Sequence, residues 1–138
     1  MFKLHSQLAQ DTTLVTALSL CQILLVNDSR FPWLILVPQV LDLKELHDLL
    51  PNSQLQLMVE ITLASRVLEK LYAPDKLNVG ILGNIVEQLH IHVVARNHTD
   101  KAWPGPVWGQ GAATPYIQIN LEQTRKKIKA TFSDLMAP

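Results

Sequence analysis

The sequence predicts an α+β domain in which a mainly antiparallel sheet of about five strands packs against one long helix, with another helix at the C-terminus. Two observations favour this fold class. Short apolar runs separated by turn-forming residues recur along the chain, which is typical of antiparallel strands. Residues 54–72 instead place apolar side chains three and four positions apart, the spacing of a helix that covers one face of a sheet.

Length and composition predict one globular domain spanning residues 1–138. The chain is 48% hydrophobic and 17% charged, well inside the range of folded proteins. Twelve basic residues balance twelve acidic ones, so the chain has no overall field that would attract nucleic acid or an anionic membrane. We therefore expect neither partner, and any recognition of phosphate must come from a local site.

Cysteine content and the N-terminal residues indicate a cytoplasmic protein. The single Cys21 has no partner for an internal disulfide, and its apolar surroundings predict burial. Residues 1–5 are not followed by the apolar run of a signal peptide. The longest apolar stretches, 23–26 and 34–37, are far shorter than the roughly 18 residues of a membrane span.

The N-terminal part of the chain predicts short helices followed by a hairpin. Leucines in the first twenty residues fall at roughly helical spacing, and Asp11 to Thr13 offer a helix N-cap, so one or two short helices are expected there. Residues 21–27 and 31–37 are apolar runs joined by the polar residues 28–30. This arrangement predicts an antiparallel pair of strands.

The remaining elements follow from similar signals. A long helix is predicted over 54–72 after the start signals at 51–53, and a strand over 77–82. A second strand is predicted over 87–96. Residues 102–111 contain too many prolines and glycines for regular structure and predict an ordered loop or lid, and residues 119–135 predict a C-terminal helix.

The strand at 87–96 carries the chemical signal of the sequence. Strand alternation is expected to place Gln88, His90, His92 and Val94 on one face, with apolar residues on the other. Two histidines in this arrangement can reach one phosphate group or one metal ion. A histidine held through one ring nitrogen can attack phosphorus through the other, while its neighbour stabilises the phosphate oxygens.

The bare His-x-His pattern leaves other interpretations open. Two of the five histidines can fall two positions apart by chance and simply face solvent. A zinc or iron site at His90 and His92 would need a third ligand, and His98, His47 and His5 are distant or in a loop. The pattern therefore favours phosphate chemistry over metal binding without excluding either.

Residues 83–96 resemble the signature of the histidine-triad family of nucleotide hydrolases and transferases. That signature alternates three histidines with apolar residues and has a polar amide four residues before the first histidine. Gln88 stands at the first histidine position, His90 at the second and His92 at the third, while Asn84 stands at the amide. The order of elements over residues 20–110 is also similar to that family.

The resemblance implies a role for each matching residue. His90 would be the nucleophile that attacks an α-phosphate and forms a nucleotidyl-histidine, and His92 would contact the phosphate and the leaving oxygen. Asn84 would contact phosphate, and Asn27 or Asp28 would bind ribose. The resemblance further implies a homodimer that needs no metal or other cofactor at the nucleophilic centre.

Two departures from the family pattern bear on catalysis. Gln88 can donate and accept hydrogen bonds but cannot change charge, so it could orient a neighbour and could not shuttle a proton. On the second strand of the hairpin, where many members carry another histidine, this chain has Trp33 or Leu34. The predicted catalytic set is therefore His90, His92 and Gln88, without a complete triad.

Three large side chains near the signature have a functional and a structural interpretation. Trp103 and Trp108 could stack on a nucleobase, although pinning a proline-rich loop onto the body is the commoner use of such residues. Trp103 is taken as the candidate base contact. Arg96 could steer phosphate, although an arginine at a strand end is more often a solvated charge.

Together these observations predict a nucleotide-phosphate enzyme. It would hydrolyse or transfer a nucleoside monophosphate from a phosphoanhydride, phosphoester or phosphoramidate, with diadenosine polyphosphates as a favoured substrate class. The alternative is a nucleotide-binding regulatory module that lost turnover when the first histidine became Gln88. A metal site at His90 and His92 is the third hypothesis.

Overall fold

The computed structural model describes residues 1–138 and contains five strands and three α-helices. Their bounds are α1 Ser6–Asp11, β1 Thr12–Ala17, β2 Cys21–Val26, β3 Trp33–Pro38, α2 Pro51–Tyr72, β4 Lys76–Gly80, β5 Ile91–Arg96 and α3 Gln118–Met136, with a short 3-10 turn at Leu46–Asp48. None of the helices combines the length and apolar composition that crossing a membrane requires.

The five strands form one antiparallel sheet in the order β1-β2-β3-β5-β4. The predicted α+β class, with its antiparallel sheet, long helix and C-terminal helix, is confirmed. Strand β5 lies between β3 and β4, so its backbone is hydrogen-bonded on both sides. In this register His92 stands opposite Ile35 on β3 and Gly80 on β4. Strand β5, which carries His92, is therefore held in place by two neighbouring strands.

The two faces of the sheet are buried by different partners. One face meets α2 and α3 in the main core, whose strand members include Ile23, Leu25, Leu34, Leu36, Ile91 and Val93 and whose helix members include Leu57, Ala64, Leu68, Ile128 and Phe132. On the other face, Leu24, Ile35 and Val37 pack with Leu8 of α1, and Val94 packs with Phe31 and Val107. Burial on both faces explains the continuous apolar runs of these strands. His92 belongs to this second face.

The prediction of helices throughout the first twenty residues was wrong for Thr12–Ala17. This segment is strand β1 and pairs with β2, and only α1 is helical. Three threonines and Val15 give it a β-branched composition, which favours a pleated strand over a helix. The helical spacing of the leucines was misleading because Leu8 and Leu14 lie on different elements, with Leu8 buried and Leu14 half exposed.

The other predicted elements are present with shifted bounds. The hairpin is β2 and β3, the long helix is α2 and begins at Pro51, and the strand expected at 77–82 is β4. The strand expected at 87–96 begins only at Ile91. Before Ile91 the backbone is bonded to a loop and not to a strand. The Leu89 N–H donates to the carbonyl oxygen of Leu43 at 2.8 Å.

A buried carboxylate that the sequence did not reveal holds the start of β2. The Glu60 side chain projects from α2, is 2% exposed and accepts the backbone N–H groups of Leu20 and Cys21 at 2.9 and 2.8 Å. Cys21 is fully buried, as predicted, and burial raises the pKa of its thiol. The cysteine is therefore a packing residue.

Candidate active site

His90 and His92 lie side by side at the wall of one cavity. Their ring centroids are 5.0 Å apart, and each residue is 6% exposed. The cavity has a volume of about 850 Å³ and is bounded by α1, the β2–β3 turn, β3, residues 82–86 and the segment 107–115. A cavity of this size with two buried imidazoles in its wall is the candidate active site.

The tautomer of His90 is fixed by its own chain. Its Nδ1 atom lies 2.7 Å from the carbonyl oxygen of Gln88. A carbonyl oxygen can only accept a hydrogen bond, so Nδ1 carries the proton and donates. Neutral imidazole has a single ring proton, which leaves Nε2 of His90 with a free electron pair. This is the form of histidine that can act as a nucleophile.

His92 is fixed in the opposite tautomer by Trp33. The indole Nε1–H of Trp33 donates to Nδ1 of His92 at 3.0 Å, and an indole nitrogen can only donate. The proton of a neutral His92 is therefore on Nε2. Burial, and secondarily the charge of His90, lowers the pKa of His92 from 6.5 to about 3. His92 is thus a neutral hydrogen-bond donor over the physiological range of pH.

Three aromatic rings surround His92. The ring centroids of Trp33, Trp108 and His90 lie 5.7, 5.3 and 5.0 Å from that of His92. Tilted and edge-on contacts of this kind restrict the orientation of the imidazole and exclude water from it. The position of the imidazole is therefore set by packing as well as by the hydrogen bond to Trp33.

The Gln88 side chain does not lie with the two histidines. Its Oε1 accepts the backbone N–H of His5 at 2.8 Å, and its Nε2 donates to the carbonyl oxygen of Lys3 at 2.9 Å. It lines a neighbouring cavity instead. The prediction that alternation brings Gln88 to the face of His90 was wrong, because residues before Ile91 are not in the strand. Gln88 reaches the site only through its backbone carbonyl.

Asn27 and Asp28 line the cavity, and both are hydrogen-bonded to the segment that precedes α3. The Oδ1 of Asn27 accepts the N–H of Tyr116 at 2.9 Å, and Asp28 accepts the N–H of Thr114 at 3.3 Å. Asp28 is 1% exposed and pairs with the Arg30 guanidinium at 2.8 Å. Burial opposes ionisation of Asp28, but the hydrogen bonds from Arg30 and Thr114 outweigh it and lower the pKa of the carboxyl. Its oxygens are therefore already engaged by the protein.

The two tryptophans of the loop occupy different places. Trp103 packs against His98, with ring centroids 4.8 Å apart, and beneath the Arg96 guanidinium at 5.7 Å, outside the cavity. Trp108 lines the cavity beside His92. Gly80 makes this position possible, because a Cβ atom there would lie 2.6 Å from the Trp108 ring. The structure thus brings Trp108, and not the predicted Trp103, to the site.

Asn84 lines the cavity, and its contact with phosphate stays a prediction. It is exposed and forms part of the cavity wall, in the segment between β4 and β5. Its amide can therefore contact a bound anion.

Arg96 is neither a solvated charge nor part of the cavity, contrary to the sequence prediction. It is 1% exposed, pairs with Asp100 at 2.8 Å, and also donates to Asn78 and to the carbonyl oxygen of Gly105. These bonds attach the loop after β5 to the end of the sheet. A carboxylate four residues after a strand-end arginine was the available sequence signal.

The donor set does not favour a metal ion. No group of three or more His, Cys, Asp or Glu side chains comes together in the structure. His90 and His92 would therefore supply only two protein ligands, and the Nδ1 atoms of both are already hydrogen-bonded. Protein zinc sites use three or four ligands. The pair fits an anion better than a cation.

Trp33 is the residue of the site whose role the sequence did not reveal. In the sequence it stands where many family members carry another histidine. Trp33 pairs with Val94 in the sheet and so lies on the same face as His92, diagonally across from it. A prediction of the register between β3 and β5 would have placed Trp33 beside His92.

Comparisons with known proteins identify relatives of this chain. The family model described as "HIT domain" matches residues 7–99. A histidine triad protein from Sinorhizobium meliloti 1021 is 45% identical, with a TM-score of 0.91 over 94% of this chain and 96% of its own. One from Marinobacter aquaeolei VT8 is 40% identical, with a TM-score of 0.94 over 98% of each chain.

A third solved structure, histidine triad protein from Bradyrhizobium japonicum, is 39% identical, with a TM-score of 0.92 over 95% of this chain and 98% of its own. No protein with a curated description matches this chain. The family-model match covers more than half of the chain, and the identities to solved relatives exceed 30% over nearly its whole length. The chain therefore belongs to the histidine-triad family, which is part of a superfamily of nucleotide-binding hydrolases and transferases.

Proposed function

We propose that the protein is a nucleotide-phosphate hydrolase or nucleotidyl transferase that acts at the α-phosphate through a nucleotidyl-histidine. The observation that carries the proposal is the opposite tautomers of the two histidines. His90 has a free electron pair on Nε2, and His92 has its proton on Nε2. One ring can attack phosphorus while the other donates a hydrogen bond to the same phosphate.

The first step forms a bond from Nε2 of His90 to the α-phosphorus. The bond from that phosphorus to the bridging oxygen breaks, and its electron pair leaves with the departing group. Positive charge develops on the His90 ring and is stabilised by the Gln88 carbonyl oxygen at Nδ1–H. Water then attacks the phosphorus and loses a proton to solvent, while the bond from phosphorus to Nε2 breaks and its electron pair returns to His90, so the nucleoside monophosphate is released. With another acceptor in place of water, the nucleotidyl group is transferred to that acceptor.

The state of His92 favours a particular kind of leaving group. His92 is neutral and donates through Nε2, so it stabilises charge on oxygen without transferring a proton. A leaving group that departs as a stable anion needs no such proton. Phosphoanhydrides, including diadenosine polyphosphates, release a nucleotide or phosphate anion and therefore fit this site well.

The cavity supplies contacts for the rest of a nucleotide. Asn84 is the proposed phosphate contact, and Trp108 is the proposed aromatic contact for a base, in place of Trp103. Leu8 and Ile35 give the cavity an apolar wall. Asn27 uses its Oδ1 for Tyr116, so its amide nitrogen is the group we propose for a ribose hydroxyl. Asp28 supports this wall through Arg30.

A nucleotide-binding regulatory module with little turnover is the second candidate. It is favoured by the orientation of Gln88, which leaves the first triad position without a side chain in the cavity. Calorimetry with AMP, run beside the turnover assay, distinguishes the two functions. Binding without turnover supports the module, and turnover dependent on His90 supports the enzyme.

The proposed assembly is a cytoplasmic homodimer that acts on a small nucleotide and uses no nucleic acid or membrane partner. Strand β4 ends the sheet, and Val79 on it is 51% exposed. Edge strands with unpaired backbone groups are ready to pair with another chain. Light scattering tests this assembly, and V79K is expected to shift the protein towards monomer.

Turnover of diadenosine tetraphosphate and adenosine phosphoramidate tests the proposed chemistry. The H90A variant is expected to lose at least about a thousandfold in kcat, as expected for loss of a nucleophile. H98A is the matched control, because His98 is exposed and lies outside the cavity. Equal turnover by wild type and H90A would contradict the proposal.

A further inference from the structure

We propose that Trp33 is a positioning residue that holds His92 in its neutral Nε2–H form. This inference rests on the proposed function for its catalytic meaning. The sequence offered Gln88 as the substitute for the first histidine. The structure instead turns Gln88 towards Lys3 and His5.

The contact between Trp33 and His92 works in only one direction. An indole N–H has no lone pair to offer, so the hydrogen bond at 3.0 Å requires a bare Nδ1 on His92. Protonation of Nδ1 would bring two N–H groups against each other and break the contact. The proton of His92 is thus confined to Nε2, the ring nitrogen left to donate.

The sheet fixes the position of Trp33. Its backbone is paired with Val94, and its ring contacts Phe31 at 6.2 Å between centroids, edge to face. The indole therefore cannot follow His92 if the imidazole turns. A histidine at this place could exchange roles as donor and acceptor, whereas a tryptophan cannot.

The groups that face His92 leave Trp33 as the donor that sets its tautomer. Strand β3 places Ile35 opposite it, β4 places Gly80, and the loop after β5 places Trp108. The titratable neighbour is His90, whose Nδ1–H is used by Gln88. Asp11 of α1 and the ion pair of Asp28 with Arg30 line other parts of the cavity wall.

Trp33 has a consequence for the reaction that differs from that of an ordinary packing residue. With Trp33 in place, His92 offers one defined N–H to the phosphate. Without it, a neutral His92 divides its proton between two nitrogens, and part of the population presents a lone pair to an anion. Loss of the donor should therefore reduce kcat more than it changes KM.

The test compares the wild type with W33F by nitrogen-15 spectra of the histidine rings between pH 5 and 8. H92Q assigns the His92 signals, and W103F is the matched control, because Trp103 lies outside the cavity. The wild type and W103F should show a bare Nδ1 and a protonated Nε2 on His92. W33F should show a mixture and a His92 that titrates at higher pH.

Kinetics supply the second readout. For W33F we expect kcat to fall about fivefold with KM changed less than about twofold, the effect of one net hydrogen bond. A wild-type His92 that carries its proton on Nδ1 would overturn the proposal, and this measurement stands even if W33F fails to fold. A folded W33F with the wild-type tautomer would also overturn it. A wild type without turnover would count against the proposed function alone, since the ring spectra need no substrate.

Discussion

The backbone carbonyl oxygen of Gln88 lies 2.7 Å from Nδ1 of His90 and fixes the free electron pair of that ring on Nε2. Gln88 thus sets the tautomer of His90 through its backbone carbonyl, although its side chain lies outside the site. Substitutions of the Gln88 side chain retain this carbonyl. Their effect should come through the N-terminal segment that the amide holds.

The Q88A variant tests this separation of backbone and side chain. We expect kcat to fall less than about threefold, because the hydrogen bond to His90 comes from the backbone. We expect faster amide exchange over residues 3–5, which lose their two bonds to the amide. Hydrogen exchange and steady-state kinetics measure the two effects. A loss of kcat as large as that of H90A would show that the side chain takes part in the chemistry.

The buried, neutral state of His92 should make the fold sensitive to acid. The pKa of His92 falls from 6.5 to about 3 on folding, so between these values the unfolded chain binds more protons. The free energy of unfolding should therefore decrease as the pH falls below 6.5, by up to about 1.4 kcal/mol per unit. Urea denaturation at pH 7.5 and pH 5 measures it. H92Q should be less stable overall but flatter with pH, and an unchanged slope would contradict the assignment.

Gly80 should be intolerant of a side chain because Trp108 occupies the space. A Cβ atom at residue 80 would approach the Trp108 ring to 2.6 Å. We expect G80A to lower the free energy of unfolding by about 1–3 kcal/mol, with raised KM. The double variant G80A/W108A is the control, since removing the ring removes the clash. Additive effects of the two substitutions would contradict this interpretation.

The ion pair of Arg96 and Asp100 should be the most costly to break. Both side chains are buried, and R96A would leave the Asp100 carboxylate without its charge partner. Such a loss costs about 3–5 kcal/mol. The exposed pair of Arg125 and Glu122 is the matched control, and R125A should cost under about 1 kcal/mol. Similar losses in urea denaturation of R96A and R125A would refute the expectation.

Asp28 should matter for the wall of the cavity more than for direct contact with ribose. We expect D28N to increase hydrogen exchange over residues 110–116, because the carboxylate holds Arg30 and Thr114 there. Exchange measured by mass spectrometry checks this. The opposite pattern, weaker AMP binding with unchanged exchange, would restore the ribose role predicted from the sequence.

The sequence predicted best those helices and strands whose apolar pattern depends only on their own burial. The periodicity of α2 and the apolar runs of β2 and β3 depend on local burial, and these elements formed as predicted. His90 and His92 were found because an imidazole pair is chemically distinctive. The α+β class followed from the same local signals.

The remaining features depend on contacts between distant parts of the chain. The Gln88 side chain lies outside the site because its amide is hydrogen-bonded to the backbone of Lys3 and His5, which are 85 and 83 residues away in sequence. Trp33 meets His92 across 59 residues, and only the register of β3 with β5 specifies that contact. Arg96 is buried because a loop folds back over it. Local patterns carry little information about such pairings.

Detection of the covalent intermediate tests the central claim most directly. Wild-type protein mixed with diadenosine tetraphosphate, quenched at alkaline pH within the first turnover and analysed by peptide mass spectrometry, should carry an AMP adduct on His90. H90A should carry none, and H98A should carry it as the wild type does. Turnover by the wild type with no adduct on His90, or an adduct that persists in H90A, would contradict the account.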